Sequence, residues 1–263
     1  MRRFVILLVK FCNKSNMSGL ALLSDQGYRI DGRKPNELRR IRCKLGIFTQ
    51  ADGSSYIEQG NTKILAAIYG PHEPASNMKG QALHDKCFIN CEFSQASFCS
   101  AERKHRPRGD RRGQDISAHI KQTFEACVHT SLYPRSQIDI YLQVLQTDGS
   151  AYAACVNAAT LALIDAGIAM KDFTCACSAS VSNNVPLIDI NRVEESVGCA
   201  EFSAAILPKL DQIVYSELNG RLHEDDLAVI IDSVVKGCKD IFVVMERTVR
   251  EHVEDTASNL TQS

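Results

Sequence analysis

An imbalance of charge is the first thing this sequence lacks. Its 30 Lys and Arg stand against 31 Asp and Glu, a formal net charge of −1. No whole-molecule field therefore draws in nucleic acid or an anionic surface, and any such contact has to come from a local patch. Long apolar runs are also missing: no stretch approaches the ~20 apolar residues of a membrane-spanning helix. Cysteine patterns for metal or redox chemistry are absent. The 11 Cys are scattered, and the close pairs Cys87/Cys91 and Cys175/Cys177 have neither zinc-knuckle nor redox-motif spacing. Reduced, mostly buried thiols are the plain reading. The seven His show no ligand spacing and no triad, and are read as structural or solvated.

What is present is a 263-residue chain, 44% hydrophobic, with ample material for a core in one large domain or two small ones. Arg2-Arg3 before the run Phe4 to Val9 is like the start of a targeting segment, but Lys10 closes the run early and no clear cleavage site follows. Met17 opens a stretch that reads as a natural start. Residues 1–16 are therefore read as an extension or a misassigned start, with a targeting segment as the alternative.

Alternation and turn residues predict strands over Ile41 to Gln50, Ser55 to Glu58 and Thr62 to Tyr69, the last ended by Gly70-Pro71. Residues 72–82 have no period and read as a loop; 86–98 look extended. Ile116, Ile120, Phe124 and Cys127/Val128 predict a helix over 114–132. A strand from Ile138 then meets Asp148-Gly149-Ser150, and a small-residue helix over 151–166 follows, ended by Gly167. Strands are expected at 173–181, 185–191 and 201–218, with breaks at Pro208 and Asp211. A closing helix from about 224 to 253 carries one apolar stripe, including Leu227, Ile230, Val234, Cys238, Ile241 and Met245. Gln50 to Tyr56 echoes Gln146 to Tyr152, about 95 positions on, and hints at a duplicated α+β unit.

Three stretches carry chemistry. A strand, a glycine turn and a helix start make an anion site, because free N–H groups and the helix dipole converge there. The side chain expected to reach into that turn is Tyr152, which is uncharged. The second stretch, Arg103 to Arg112, holds six Lys/Arg against one acid. Pro107 and Gly109 are expected to keep it non-helical, so its guanidinium forks can grip phosphate, blind to base sequence. A solvated loop or a localisation signal is the alternative. The third stretch supplies Asp189, Glu194, Glu195 and Glu201, which can hold Mg²⁺ or supply a general acid, or simply be surface acids.

Together, "GYRIDGRKPNELRRI", "ADGSSYIEQGNTKILAAIYGP", "ERKHRPRGDRR", "PRSQIDIYLQVLQTDGSAYAACVNAATLALIDAGIAMKDF" and "LIDINRVEES" resemble the RNase PH family of phosphate-dependent exoribonucleases, and within it the ring subunits of the eukaryotic RNA exosome. The resemblance spans about residues 20–250. It implies an α+β class with a duplicated βαβα fold: an RNase PH-type domain over 17–253, halves at about 40–135 and 136–253, and a tail at 254–263. It implies a six-membered ring of such subunits around an RNA channel, RNA-binding cap subunits, an associated catalytic nuclease, and residence in nucleus and nucleolus as well as cytoplasm. No membrane partner is implied.

In active relatives the turn reads Gly, a small residue, then Arg, and that Arg holds the attacking phosphate. Here Ser150, Ala151 and Tyr152 stand there, so Gly149 to Tyr152 is expected to be a phosphate-site remnant. The catalytic Asp falls at Glu201 and a metal-associated Asp at Glu195. Both are expected to be degenerate, with no metal or other cofactor unless residual activity calls for Mg²⁺. Lys79, Arg103, Lys104, Arg106, Arg108, Arg111 and Arg112 are expected to contact RNA, Arg111-Arg112 matching the family's RNA- and phosphate-contacting pair. Two functions follow: a non-catalytic ring subunit on the RNA path, or a phosphorolytic 3'-5' exoribonuclease with residual activity beside a ring neighbour.

Overall fold

The run Ala151 to Leu163 is apolar on every side, and a helix of that kind has to be covered all round. In the structure, a computed structural model that describes residues 7–10, 22–24, 26–74, 85–100, 103, 110–182 and 185–262, it lies between two five-stranded sheets. The first sheet has the order β2 (Ile41–Leu45), β3 (Gly53–Gln59), β4 (Thr62–His72), β6 (Gln137–Gln146), β5 (Phe88–Gln95). The second has the order β1 (Leu7–Lys10), β10 (Gln212–Asn219), β9 (Glu201–Leu207), β7 (Cys175–Ser182), β8 (Val185–Ile188). Helix α1 (Arg111–Cys127) covers β5 and reaches β10. Helix α2 (Ala151–Asp165) packs on β3 and β4 on one side and on β7 and β9 on the other, and α4 (Glu224–Gln262) covers β7, β8 and β9. The short α3 (Arg192–Ser196) links β8 to β9. Segregated sheets and helices make this an α+β protein.

Helix α2 is pegged to both sheets. Ser55 Oγ of β3 donates to Ala158 O at 2.6 Å. Asn157, fully buried, donates to Ala176 O at 3.0 Å and accepts from Ala176 N–H at 2.8 Å, so its amide is satisfied on β7. Small residues let the layers close: a Cβ on Gly53 would stand 2.3 Å from Ala162 O.

Several expectations need correction. The division at about residue 135 does not follow the sheets, because β6 lies in the first sheet, antiparallel to β4 and parallel to β5. The crossover is the Asp148-Gly149-Ser150 turn. The echo of Gln50 to Tyr56 in Gln146 to Tyr152 is not a structural repeat, since the first copy enters a strand and the second a helix. The first predicted strand stops at Leu45, and β4 runs on to His72. Residues 254–262 are not a tail but the end of α4. The apolar stripe fades there, yet no Gly or Pro follows Gly237 in the helix, and Thr256 Oγ1 bonds back to His252 O at 2.8 Å. Within the expected extension, residues 7–10 add a parallel edge strand beside Ser216 to Asn219.

Candidate nucleic-acid interface

The glycine turn comes first. Gly149 has φ +84 and Ser150 φ +53, two successive left-handed residues that swing the chain from β6 into α2. A Cβ on Gly149 would meet Ile190 O at 2.6 Å, so only glycine allows this approach. Ser150 Oγ donates to Ile190 O at 3.0 Å and bonds the Ser178 hydroxyl, which fastens the turn to the second sheet. The first turn of α2 presents free N–H groups and the positive end of the helix dipole.

Tyr152 does not reach into this turn. It is 8% exposed and belongs to the core, with its ring 5.2 Å from that of Tyr215 and its hydroxyl 2.9 Å from Thr123 Oγ1 of α1. Burial pushes the phenol well above its ordinary pKa, with the Thr123 bond opposing and the Glu217 carboxylate adding to the rise. The physical reason is the even apolarity of α2: an aromatic ring gains most by facing α1 and β10, not the solvent side of the turn. Tyr152 is thus a neutral packing residue at the first turn of α2.

The acids separate into two kinds. Asp189, fully buried with φ +56, accepts from Arg39 N–H at 2.9 Å, Arg39 Nη2 at 2.7 Å and Gln59 Nε2 at 2.8 Å. Glu194 closes a capping box with Asn191 at the start of α3 and forms a two-pronged pair with Arg29, both side chains fully enclosed. Neither is free to hold a metal or move a proton. Arg39 Nη1 also donates to Asp148 O at 2.8 Å, so the stretch 29–39 straps the acidic loop and the glycine turn together. Spacing in the sequence could not show this, because the partners lie 109 to 165 positions away.

Glu195 and Glu201 remain near solvent. Arg112 Nη2 donates to Glu195 Oε1 at 3.2 Å, and Glu201 opens β9 opposite Asn219 and Ser180. The structure brings Arg112 and Glu195 together. Among the described residues no three His, Cys, Asp or Glu side chains gather as a metal-holding group. Arg111 and Arg112 are not in an irregular stretch as expected; they are the first two residues of α1, capped by Asp110, which makes no side-chain bond to the helix. Two cations at the positive end of a helix oppose the dipole. That local conflict, with Arg112 71% exposed, concentrates positive potential at one place. Arg103 is exposed; Lys79, Lys104, Arg106 and Arg108 lie outside the described residues.

A cleft of about 600 Å³ opens beside the glycine turn, lined among others by Asn61, Lys63, Phe98, Asp148 and Arg192. A smaller one of about 320 Å³ adjoins it at Phe98 and Arg103. Sequence reasoning passed over Phe98, Lys63 and Arg192; an aromatic set among Ser97, Cys99 and Ser100 was the only signal it offered. All described cysteines are free, and most are buried. No described helix is long and apolar enough to cross a membrane.

The comparisons with known proteins fit this frame. The 3' exoribonuclease family, domain 1, matches residues 37–169, which takes in the first sheet, α1 and α2. The chain is 52% identical over 241 residues to exosome complex component RRP41 of Bos taurus, covering 92% of this chain and 98% of that protein. The crystal structure of rice (Oryza sativa) Rrp46 superposes with a TM-score of 0.75 at 24% identity, covering 84% of this chain and all of that one. The Archaeoglobus fulgidus exosome with RNA bound to the active site gives a TM-score of 0.69 at 21% identity, covering 82% of this chain and 92% of that one. Sequence and fold agree, and this chain belongs to the RNase PH family of 3' exoribonucleases.

Proposed function

We propose that this chain is a ring subunit of an RNA exosome that contacts RNA along its path and does not itself carry out phosphorolysis. The observation that carries the second half is Tyr152. A phosphate at the start of α2 would meet N–H groups and a dipole, but no cation from this helix, because Tyr152 is neutral and its hydroxyl is engaged with Thr123. Loss of a charge-assisted clamp of that kind costs roughly 10²–10³ in rate. Glu201 carries one methylene more than the Asp of active relatives, and ~1 Å of misplacement costs about 10²-fold again.

The RNA half rests on Arg111 and Arg112, exposed at the positive end of α1. Arg112 holds only a surface pair with Glu195, worth at most about 1 kcal/mol, so a phosphate can displace that carboxylate. The relatives' own naming as exosome components supports assembly with other RNase PH-type subunits. Cap subunits, a separate catalytic nuclease, and placement in nucleus, nucleolus and cytoplasm belong to the same proposal. The test is the full chain reconstituted with its ring partners, given labelled RNA with and without phosphate. The expected result is bound RNA and no nucleoside diphosphates. Phosphate-dependent release of diphosphates, abolished by Glu201→Ala, would instead establish residual phosphorolysis.

A further inference from the structure

Phe98 is 72% exposed, more than any other large hydrophobic side chain among the described residues. It is not on a loose loop. Cys99 N–H donates to Ala96 O at 3.0 Å and closes a tight turn with Phe98 near its tip, and Ala96 N–H donates to Val144 O at 2.9 Å. Ala96 and Cys99, on either side of the tip, are both buried, and Thr147 N–H donates to Cys99 O at 3.0 Å, which ties the turn to the start of the glycine turn. The ring is therefore held out in water by a fixed backbone. Exposing it forgoes the burial that an apolar ring ordinarily gains.

Its surroundings are cationic. Phe98 stands where the two clefts meet; Lys63 and Arg192 line the larger and Arg103 the smaller. The one carboxylate lining the larger cleft, Asp148, accepts from Asn61 Nδ2 at 3.0 Å and Arg192 N–H at 3.4 Å. An exposed aromatic face flanked by phosphate-gripping cations is the arrangement that binds single-stranded nucleic acid without reading its sequence.

We propose that Phe98 is a stacking platform for one base of single-stranded RNA, with Lys63, Arg103 and Arg192 holding the flanking phosphates. This deepens the RNA-path reading and rests on it. It places a base contact on this subunit beside the glycine turn, at a site distinct from Arg111 and Arg112.

The experiment uses the full chain in its reconstituted ring and three probes: oligoadenylate, oligouridylate and an abasic oligonucleotide of equal length. Phe98→Ala is expected to weaken oligoadenylate binding about 5- to 100-fold, oligouridylate less, and the abasic strand not at all. Phe98→Tyr is expected to keep wild-type affinity within about twofold. Lys63→Ala and Arg192→Ala are expected to weaken all three probes and lower the salt slope by about 0.7 for each phosphate no longer neutralised. Phe98→Ala binding oligoadenylate as wild type does, while Arg111→Ala/Arg112→Ala lose it, would overturn this proposal and leave the RNA-path reading standing. A Phe98→Ala chain that folds but fails to enter the ring would overturn it too, by making Phe98 a subunit contact. A wild-type ring that binds none of the probes would sink both readings.

Discussion

Helices α1 and α2 begin in opposite ways. Both present free N–H groups and the positive end of a dipole. At α1 the first two side chains are Arg111 and Arg112, both exposed, and no acidic residue occupies the first turn. At α2 the first two are Ala151 and Tyr152, and Tyr152 faces the core. The glycine turn before α2 has the backbone of an anion site, yet the cations have their place at the other helix. A backbone shaped to hold an anion therefore says little about chemistry where no side chain of the helix supplies charge.

The largest expected effect tests what both ends share, the strap that holds the acidic loop. Glu194→Ala leaves Arg29 charged and enclosed with only the carbonyls of Ile188 and Asp189 and no counter-charge, and about 3–5 kcal/mol of stability is expected to go. For a chain of this size that is a fall of roughly 6–20 °C in melting temperature, read by differential scanning fluorimetry. A change within about 2 °C would mean the pair is not an anchor.

The next effect separates the two helix starts. Arg111→Ala with Arg112→Ala is expected to weaken RNA binding by the assembled ring about tenfold or more, nearly equally for every sequence, with the salt slope falling by about 0.7 for each phosphate the arginines no longer hold. Filter binding across a salt series checks it. Equal affinity at low salt would remove α1 from the RNA path.

The smallest effect probes α2. Tyr152→Phe removes one hydroxyl contact and leaves the ring in place; Thr123 keeps its bond to His119 O at 2.8 Å. A loss of about 0.5–1.5 kcal/mol in denaturant unfolding is expected, with RNA affinity unchanged. A several-fold drop in RNA affinity would place Tyr152 back in the site and erase the contrast between the helices.

Much of this arrangement was legible beforehand. The turn at Asp148-Gly149-Ser150 and the helix after it could be read because glycine and small residues interrupt an apolar strand. The direction of Tyr152 could not, since a helix apolar all round gives no sign of which side meets which sheet. Asp189 and Glu194 looked like candidate acids beside Glu195 and Glu201; only the fold reveals Arg29, Arg39 and Gln59 as their partners. Arg111 and Arg112 were legible as cations but not as a helix start, because Pro107 and Gly109 suggested a non-helical stretch through Arg112, whereas α1 starts at Arg111.

The strap at 29–39 also has a consequence in time. Arg29 closes on Glu194 across 165 positions of chain, and Arg39 on Asp189 across 150. Synthesis at ~5–20 residues per second delivers those carboxylates roughly 8–33 s after their arginines. Throughout that interval the guanidinium groups have left the ribosome without the bonds that will enclose them. The stretch 29–39 is thus made well before the carboxylates that fasten it, and its enclosure has to wait for chain made later.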